Sequence, residues 1–233
     1  TGGLVSLELV RVPGTPVPGE AAADPGRPVP NPDLRHGPTS LLLLDLPIEI
    51  EPPADRPRLL VAAAGTEPGW RRASLTVSYD GGASWSAAGV TADAAILGHA
   101  ATVLGASGST LIDMRNEVEV ELLNDAMWLE GRSDDALANG ANLAVLGEEL
   151  IQFGRVHAVG NRRFRLSRLL RGRRGTEWAA GVHAAGEPFA LIQADRVRAI
   201  ESPTGTAGGE ARLPAQGIGD EEGVLASRMV SGG

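Results

Sequence analysis

An all-β fold is predicted by three features of the sequence. Apolar and polar residues alternate with a period of two over 72–79, 117–123 and 163–168. Clusters of Gly, Asp and Asn separate such runs at short intervals. Only 133–139 carries start and stop signals of a helix, and it is short. The expected organisation is two small β-sandwich or barrel-like subdomains, 41–115 and 116–200. A strand and proline-rich linker over 1–40 precede them, and a flexible linker or strap over 201–233 follows.

Residues 4–12 are strand-like, with Val5, Leu7 and Leu9 on one side. From Pro13 to Pro38 prolines recur every few residues, and proline neither donates to a sheet ladder nor continues a helix, so an extended linker is expected. The run LLLLDLPIEI over 41–50 reads as a strand buried on both faces before Pro47 and on one face after it. A second strand falls over 58–64. Over 72–79, Ala73, Leu75, Val77 and Tyr79 point inward, and Asp80, Gly81 and Gly82 supply turn chemistry before Trp85. The β pattern continues over 100–104 and 110–114. In EVEVELL, 117–123, Val118, Val120 and Leu122 face in while Glu117, Glu119 and Glu121 line a solvated face that discourages edge association. Ser133 as N-cap, two acids after it and Gly140 as stop define the helix.

The second half begins with two apolar runs, 142–146 and 149–154, separated by Gly147 and Glu148. That pair favours a two-residue hairpin turn with positive φ at the glycine. A third strand follows, with Phe164, Leu166 and Arg168 on one face and Arg163, Arg165 and Ser167 on the other. Residues 187–193 make a last strand. Beyond Ile200 the chain becomes rich in Gly, Ser, Pro and acids, with apolar content only over 223–229.

Composition narrows the chemistry. Of 233 residues, 42% are hydrophobic, enough for a real core. The absence of cysteine excludes disulfides and thiolate metal sites, and the absence of lysine excludes a P-loop lysine and Schiff-base catalysis. A formal charge of −8 disfavours general nucleic-acid binding, which depends on neutralising phosphates. No apolar run approaches the roughly 20 residues of a membrane span, so a soluble chain is expected. The Thr-Gly-Gly start and Ser-Gly-Gly end read as the edges of a piece cut from a longer chain.

No catalytic set emerges. His36, His99, His157 and His183 are far apart and lack a second ligand at metal-binding spacing. Glu148 and Glu149 are adjacent beside a strand and point to opposite faces, so they form no convergent acid pair. Asp113 and Asp125 would have to be brought together by the folded sheet. No cofactor site is expected. Arg162, Arg163, Arg165, Arg168, Arg171, Arg173 and Arg174 place seven guanidinium groups within thirteen residues. Such a cluster grips phosphates or bridges to carboxylates of the same or a neighbouring subunit. The acidic stretch 113–149 and the lack of interleaved aromatic residues favour the carboxylates. Trp70, Trp85, Trp128 and Trp178 are candidates for glycan contact, weighed against a use as large corner packing beside turns.

The blocks NGANLAVLGEELIQFG and LLRGRRGTEW closely resemble the C-terminal half of the large baseplate hub protein of tailed phages and gene transfer agents. Full-length members of that family also carry a TIM-barrel-like domain. Similarity extends from Leu41 to about Ile192 and includes LLLLDLP and LTVSYDGGASW. The resemblance implies a structural, non-enzymatic role at the tail tip of a virion or gene-transfer-agent particle, in a chain made in the bacterial cytoplasm. It implies other baseplate proteins as partners around a three-fold axis, host surface glycans contacted by this or an adjoining module, and fibronectin-like modules following the covered region. The alternative from the residues is a carbohydrate-binding accessory module of a cell-wall or polysaccharide hydrolase.

Overall fold

A computed structural model describes residues 34–46 and 56–231 and is nearly all-β. The expected strand at 4–12, the proline-rich linker up to Asp33 and the stretch 47–50 lie outside the described residues. Strands β1 (Thr39–Leu44), β2 (Arg58–Gly65), β3 (Ala73–Val77) and β4 (Ser86–Val90) come first. They are followed by β5 (Leu97–Ala100), β6 (Val118–Leu122), helix α1 (Asp134–Ala138), β7 (Leu143–Leu146), β8 (Glu149–Gly160) and β9 (Arg163–Leu170). After β10 (Pro188–Leu191) come β11 (Val197–Glu201), β12 (Glu210–Gly217) and β13 (Val224–Met229).

The strands sort into a sandwich and a barrel. A three-stranded sheet, β1-β2-β11, faces a four-stranded sheet, β13-β12-β3-β4. Leu43, Leu59, Val61, Ala63 and Ile200 of the first sheet meet Ala73, Leu75, Val77, Ala211, Leu213 and Ala215 of the second in one apolar cluster. Strands β5 to β10 close into an antiparallel barrel of cyclic order β10-β5-β6-β9-β8-β7, which leaves no edge strand. Its core holds Val118, Val120, Leu122, Phe153, Phe164, Leu166, Leu169 and Phe189.

The chain leaves the sandwich after β4, builds the whole barrel, and returns at β11. A division at 115/116 therefore does not follow the strand pairing, because it would part β5 from its barrel neighbour β6. Nor is 201–233 only a flexible strap: β12 and β13 supply half of the four-stranded sheet. Strand β12 is hard to read because two of its three inward apolar residues, Ala211 and Ala215, are small, and because Pro214 argues against a central strand. Pro214 is tolerated where the β12–β3 ladder breaks, between the Ala215↔Leu75 pair and the isolated Arg212↔Ser78 bridge.

Strand β2 shows why RLLVAAAG is apolar at almost every position. Leu59, Val61 and Ala63 enter the sandwich core, and the alternate Leu60, Ala62 and Ala64 enter the barrel cluster. Local expectations are met at several points. Strand β3 alternates buried and exposed from Ala73 to Val77, β6 buries Val118, Val120 and Leu122, and Ser133 accepts a capping hydrogen bond from the Ala136 amide. The β7–β8 turn is the two-residue Gly147-Glu148 loop between the paired Leu146 and Glu149. Positive φ falls at Gly147 (59°) and not at Glu148, the pattern of a type II′ turn.

Strand β9 departs from its expected faces. Phe164 and Leu166 point inward, but the next inward residue is Leu169, while Arg168 turns toward Asp134 at the start of α1. Arg168 has φ of 58°, and across from it on β8 lies Gly154, flanked by the Phe153↔Leu169 and Arg155↔Ser167 pairs. Both strands exchange faces at this pair, since buried Phe153 gives way to exposed Arg155. The missing side chain of Gly154 leaves the Arg168 stem room to pass.

Candidate functional site

The arginine cluster begins on the outer wall of the barrel. Arg163 and Arg165 on β9 stand directly opposite Glu121 and Glu119 on β6, because the β6–β9 register pairs these positions. Arg163 and Arg162 each reach a Glu121 oxygen at 3.0 Å, and Arg165 reaches Glu119 at 2.8 Å. These contacts hold the Glu121 carboxyl below the usual carboxylate range, the Arg163 hydrogen bond contributing most. Such cross-strand pairs on a solvated face are individually weak and mainly fix register. Arg173 donates to the Gln152 side chain at 2.9 Å. Arg174 is exposed and makes no hydrogen bond or ion pair among the described residues.

Arg171 is different. It follows β9 in phase with Leu169, so its side chain points into the end of the barrel, where it is fully buried. Its Nε and Nη2 donate to both oxygens of Glu149 at 2.8 to 3.1 Å, and Nη1 reaches Asp113 at 3.2 Å. The remaining donors go to the backbone, at Gly105 O (2.8 Å) and Ala180 O (2.9 Å). One guanidinium thus ties the 101–117 loop and the 171–187 loop to the first residue of β8.

His183 extends the network. Its Nε2 lies 2.6 Å from Glu149 and its Nδ1 2.6 Å from Glu187, with the side chain almost wholly buried. The Gly172 amide donates to Glu149 at 2.5 Å. Gly172 adopts φ of 56°, and a Cβ there would meet the Glu177 backbone at 2.8 Å, so the turn requires glycine.

The electrostatics follow from burial set against partners. Burial opposes ionisation of Glu149, but hydrogen bonds from His183, Arg171 and Gly172 outweigh it and hold the carboxyl below its ordinary range. Asp113 is likewise lowered, with burial offset by Asn116, the Arg115 amide and Arg171. For His183 burial disfavours the charged ring, yet the two flanking carboxylates raise its pKa above the ordinary histidine value. Both Glu149 oxygens are saturated and shielded from solvent. The arrangement acts as a brace across two loops, and it presents no open acid or base to a substrate from solution.

Little in the sequence marks this brace. Asp113, a possible partner of Asp125 if the sheet brought the two together, turns to Arg171 instead. Arg171 is one of seven arginines with nothing in its spacing to set it apart, and His183 has no partner at a readable spacing. Glu148 and Glu149 do diverge as expected: Glu149 is buried, while Glu148 pairs with Arg228 of β13. One signal was available. Glu149 shares its phase with Ile151 and Phe153, so an acid stood on an inward face and required a buried cation.

The tryptophans serve different places. Trp70 is buried in the sandwich with its indole N–H donated to Thr39 Oγ1 at 2.9 Å. Trp85 packs beside the Gly82 turn, and Trp178 is exposed on the 171–187 loop. Trp128, also exposed, meets the buried Phe164 ring edge-to-face with centroids 4.9 Å apart. Trp70 and Trp128 line one cleft of about 400 Å³, and Trp85 and Trp178 are not part of it. Among the described residues no group of three or more His, Asp or Glu could hold a metal ion, and no helix is long and apolar enough to cross a membrane.

Fold and site together define an all-β chain whose barrel ends in two loops clamped by a buried ion network. Residues 95–190 match the family described as Rcc01698-like, C-terminal. The match opens just before β5 and closes within β10, so it coincides with the barrel. No curated protein matches the chain.

Proposed function

We propose that this chain is a structural part of a phage or gene-transfer-agent tail baseplate hub, working through protein–protein assembly at the tail tip and performing no bond-making chemistry. Two things support the reading: the family match over the barrel, whose name hints at a gene-transfer-agent-associated protein, and the resemblance carried by the 139–178 region. The observation that carries it is the character of the braced loops. Val103, Leu111 and Met114 on one, and Trp178 and Val182 on the other, are large apolar side chains left exposed. Loops ordered by a buried guanidinium yet faced with apolar side chains are suited to docking against other proteins. The partners are neighbouring tail proteins, with three copies about the tail axis, after synthesis in the bacterial cytoplasm.

The test is incorporation. Particles purified from cells producing Leu111→Glu/Trp178→Glu chain should lack it or carry it substoichiometrically, although the purified variant keeps the parent's circular dichroism and melting profile. A chain absent from particles in its unaltered form, or a double variant incorporated like the parent, refutes the reading. The second reading, a carbohydrate-binding module, is favoured by one observation, the cleft beside Trp128.

A further inference from the structure

We infer that the cleft beside Trp128 is a saccharide-binding site, with the indole as a stacking platform and Gln193, Glu67 and Arg196 as hydrogen-bonding partners for sugar hydroxyls. This rests on the second reading and gives it a site and a ligand class, and it stands independently of the assembly reading, because the cleft and the braced loops share no residue.

The cleft lies where the chain crosses between sandwich and barrel. Glu67 and Trp70 follow β2, Asn124 and Trp128 follow β6, and Gln193 and Arg196 lie on the return segment between β10 and β11. Asn124 locks the two walls together: its Nδ2 donates to Gly65 O at the end of β2 at 2.9 Å, and its Oδ1 accepts from the Ala126 amide at 3.1 Å. Arg196 is positioned the same way, donating Nη1 to Ala94 O at 2.8 Å. The walls are therefore set before any ligand arrives, and preorganisation reduces the ordering penalty of binding.

The chemistry of the lining selects the ligand class. Trp128 is 59% exposed although its ring is pinned by Phe164, so a rigid aromatic surface is held out to solvent at the cleft. An indole in that setting offers apolar area with little conformational freedom to lose. The hydrogen-bonding groups around it have unused capacity. Among the described residues nothing hydrogen-bonds to the side chains of Gln193 or Glu67, and Nη2 of Arg196 is uncommitted. Gln193 supplies both donors and an acceptor, Glu67 acceptors, and Arg196 donors.

One cation balanced by one carboxylate is a poor phosphate site, and the wider chain is acidic. A purely apolar ligand would leave these polar groups desolvated without partners. A pyranose satisfies both demands, since its C–H face covers the indole and its hydroxyls meet mixed donors and acceptors. The volume of about 400 Å³ falls in the range of small-molecule sites and suits roughly one or two rings. Trp70 contributes a wall only, because its N–H is already given to Thr39.

The experiment is an array of immobilised mono- to tetrasaccharides covering hexoses, N-acetylhexosamines, deoxyhexoses and uronic acids, probed with the intact chain. A bound sugar is then titrated in solution by tryptophan fluorescence. Binding to at least one class is expected. Trp128→Ala should weaken it about tenfold or more, and Gln193→Ala by roughly threefold to tenfold. Trp85→Ala and Trp178→Ala should bind as the parent does. Because Trp128 also contacts Phe164, folding of each variant is checked by thermal melting, and Gln193→Ala decides alone if Trp128→Ala is unstable. An array without signal, or unchanged binding in Gln193→Ala, overturns the proposal.

Discussion

Arg171→Met is the most informative perturbation of the brace. Methionine keeps much of the aliphatic stem and removes the charge, so the packing change is small and the loss is electrostatic. Glu149 loses contacts at 2.8 to 3.1 Å and Asp113 one at 3.2 Å, leaving two buried carboxylates without their common cation. Removing one partner from a buried ion pair costs about 3–5 kcal/mol, and each orphaned carbonyl, Gly105 O and Ala180 O, adds about 1 kcal/mol. His183 still faces Glu149 and Asn116 still faces Asp113, which limits the total. A net destabilisation of about 3–4 kcal/mol at pH 7 is expected, a fall of roughly 1.5 M in the urea midpoint at an m of about 2–3 kcal/mol/M. The assay is urea unfolding followed by circular dichroism and tryptophan fluorescence, at pH 7 and pH 4.

The pH dependence tests the cause. Glu149 and Asp113 have lowered pKa values in the fold, so the stabilisation they give the parent is full above the unfolded values of about 4.3 and 3.9. It is lost as pH falls through the folded values. Without Arg171 the buried carboxyls are less acidic and take up protons earlier. The gap between parent and variant therefore narrows toward pH 4. A gap under about 1 kcal/mol at pH 7, or one of equal size at both pH values, refutes the argument.

Three further outcomes follow from the geometry. Since the pKa of His183 is raised, its stabilising effect should be complete below the unfolded value of about 6.5 and disappear as pH rises through the folded value. Urea unfolding of parent and His183→Gln should thus differ most under mildly acidic conditions and converge at alkaline pH, and an NMR titration should place the imidazole above 6.5. Gly98→Ala puts a Cβ 2.2 Å from the Glu121 carbonyl oxygen, a backbone atom that moves only with β6, so thermal melting should show a loss of about 1–3 kcal/mol. Glu148→Ala removes the partner of Arg228, but both side chains are partly exposed, and the change in urea stability should stay below about 1 kcal/mol.

Strands whose two faces differ were legible in the sequence. EVEVELL and ASLTV state their inward residues directly, and Gly147-Glu148 states its own turn, because each signal is local. The closure of the barrel is not local. Strand β10 pairs with β5 and β7, and no short-range feature of PFAL distinguishes those neighbours from others. The face exchange on β9 depends on Gly154 standing across from Arg168, a relation between strands. The site divides the same way. Glu149 is legible as a charge on an inward phase, whereas Arg171 comes to face inward only through the face exchange on β9, and His183 and Asp113 sit on loops without periodicity and meet the network only through the fold. Trp128 belongs to a cleft whose opposite wall, at Gln193 and Arg196, is far along the chain.

The position of β2 limits how independent sandwich and barrel can be. Its odd-numbered residues from Leu59 to Ala63 belong to one core and its even-numbered residues from Leu60 to Ala64 to the other, so a shift of one residue in register would exchange both sets. Strand β1 pairs with β2 along its whole length, and Leu43 and Leu44 divide between the two cores in the same way. Asn124 then ties the end of β2 to the loop after β6, and Glu148 at the β7–β8 turn pairs with Arg228 on β13. An inserted domain joined only by its two crossings would be free to hinge. Here one strand is packed on both sides, and polar ties lie at separate places around the junction. The cleft beside Trp128 is therefore part of a fixed corner, which is what an aromatic platform needs if it is to meet a ligand without first being ordered.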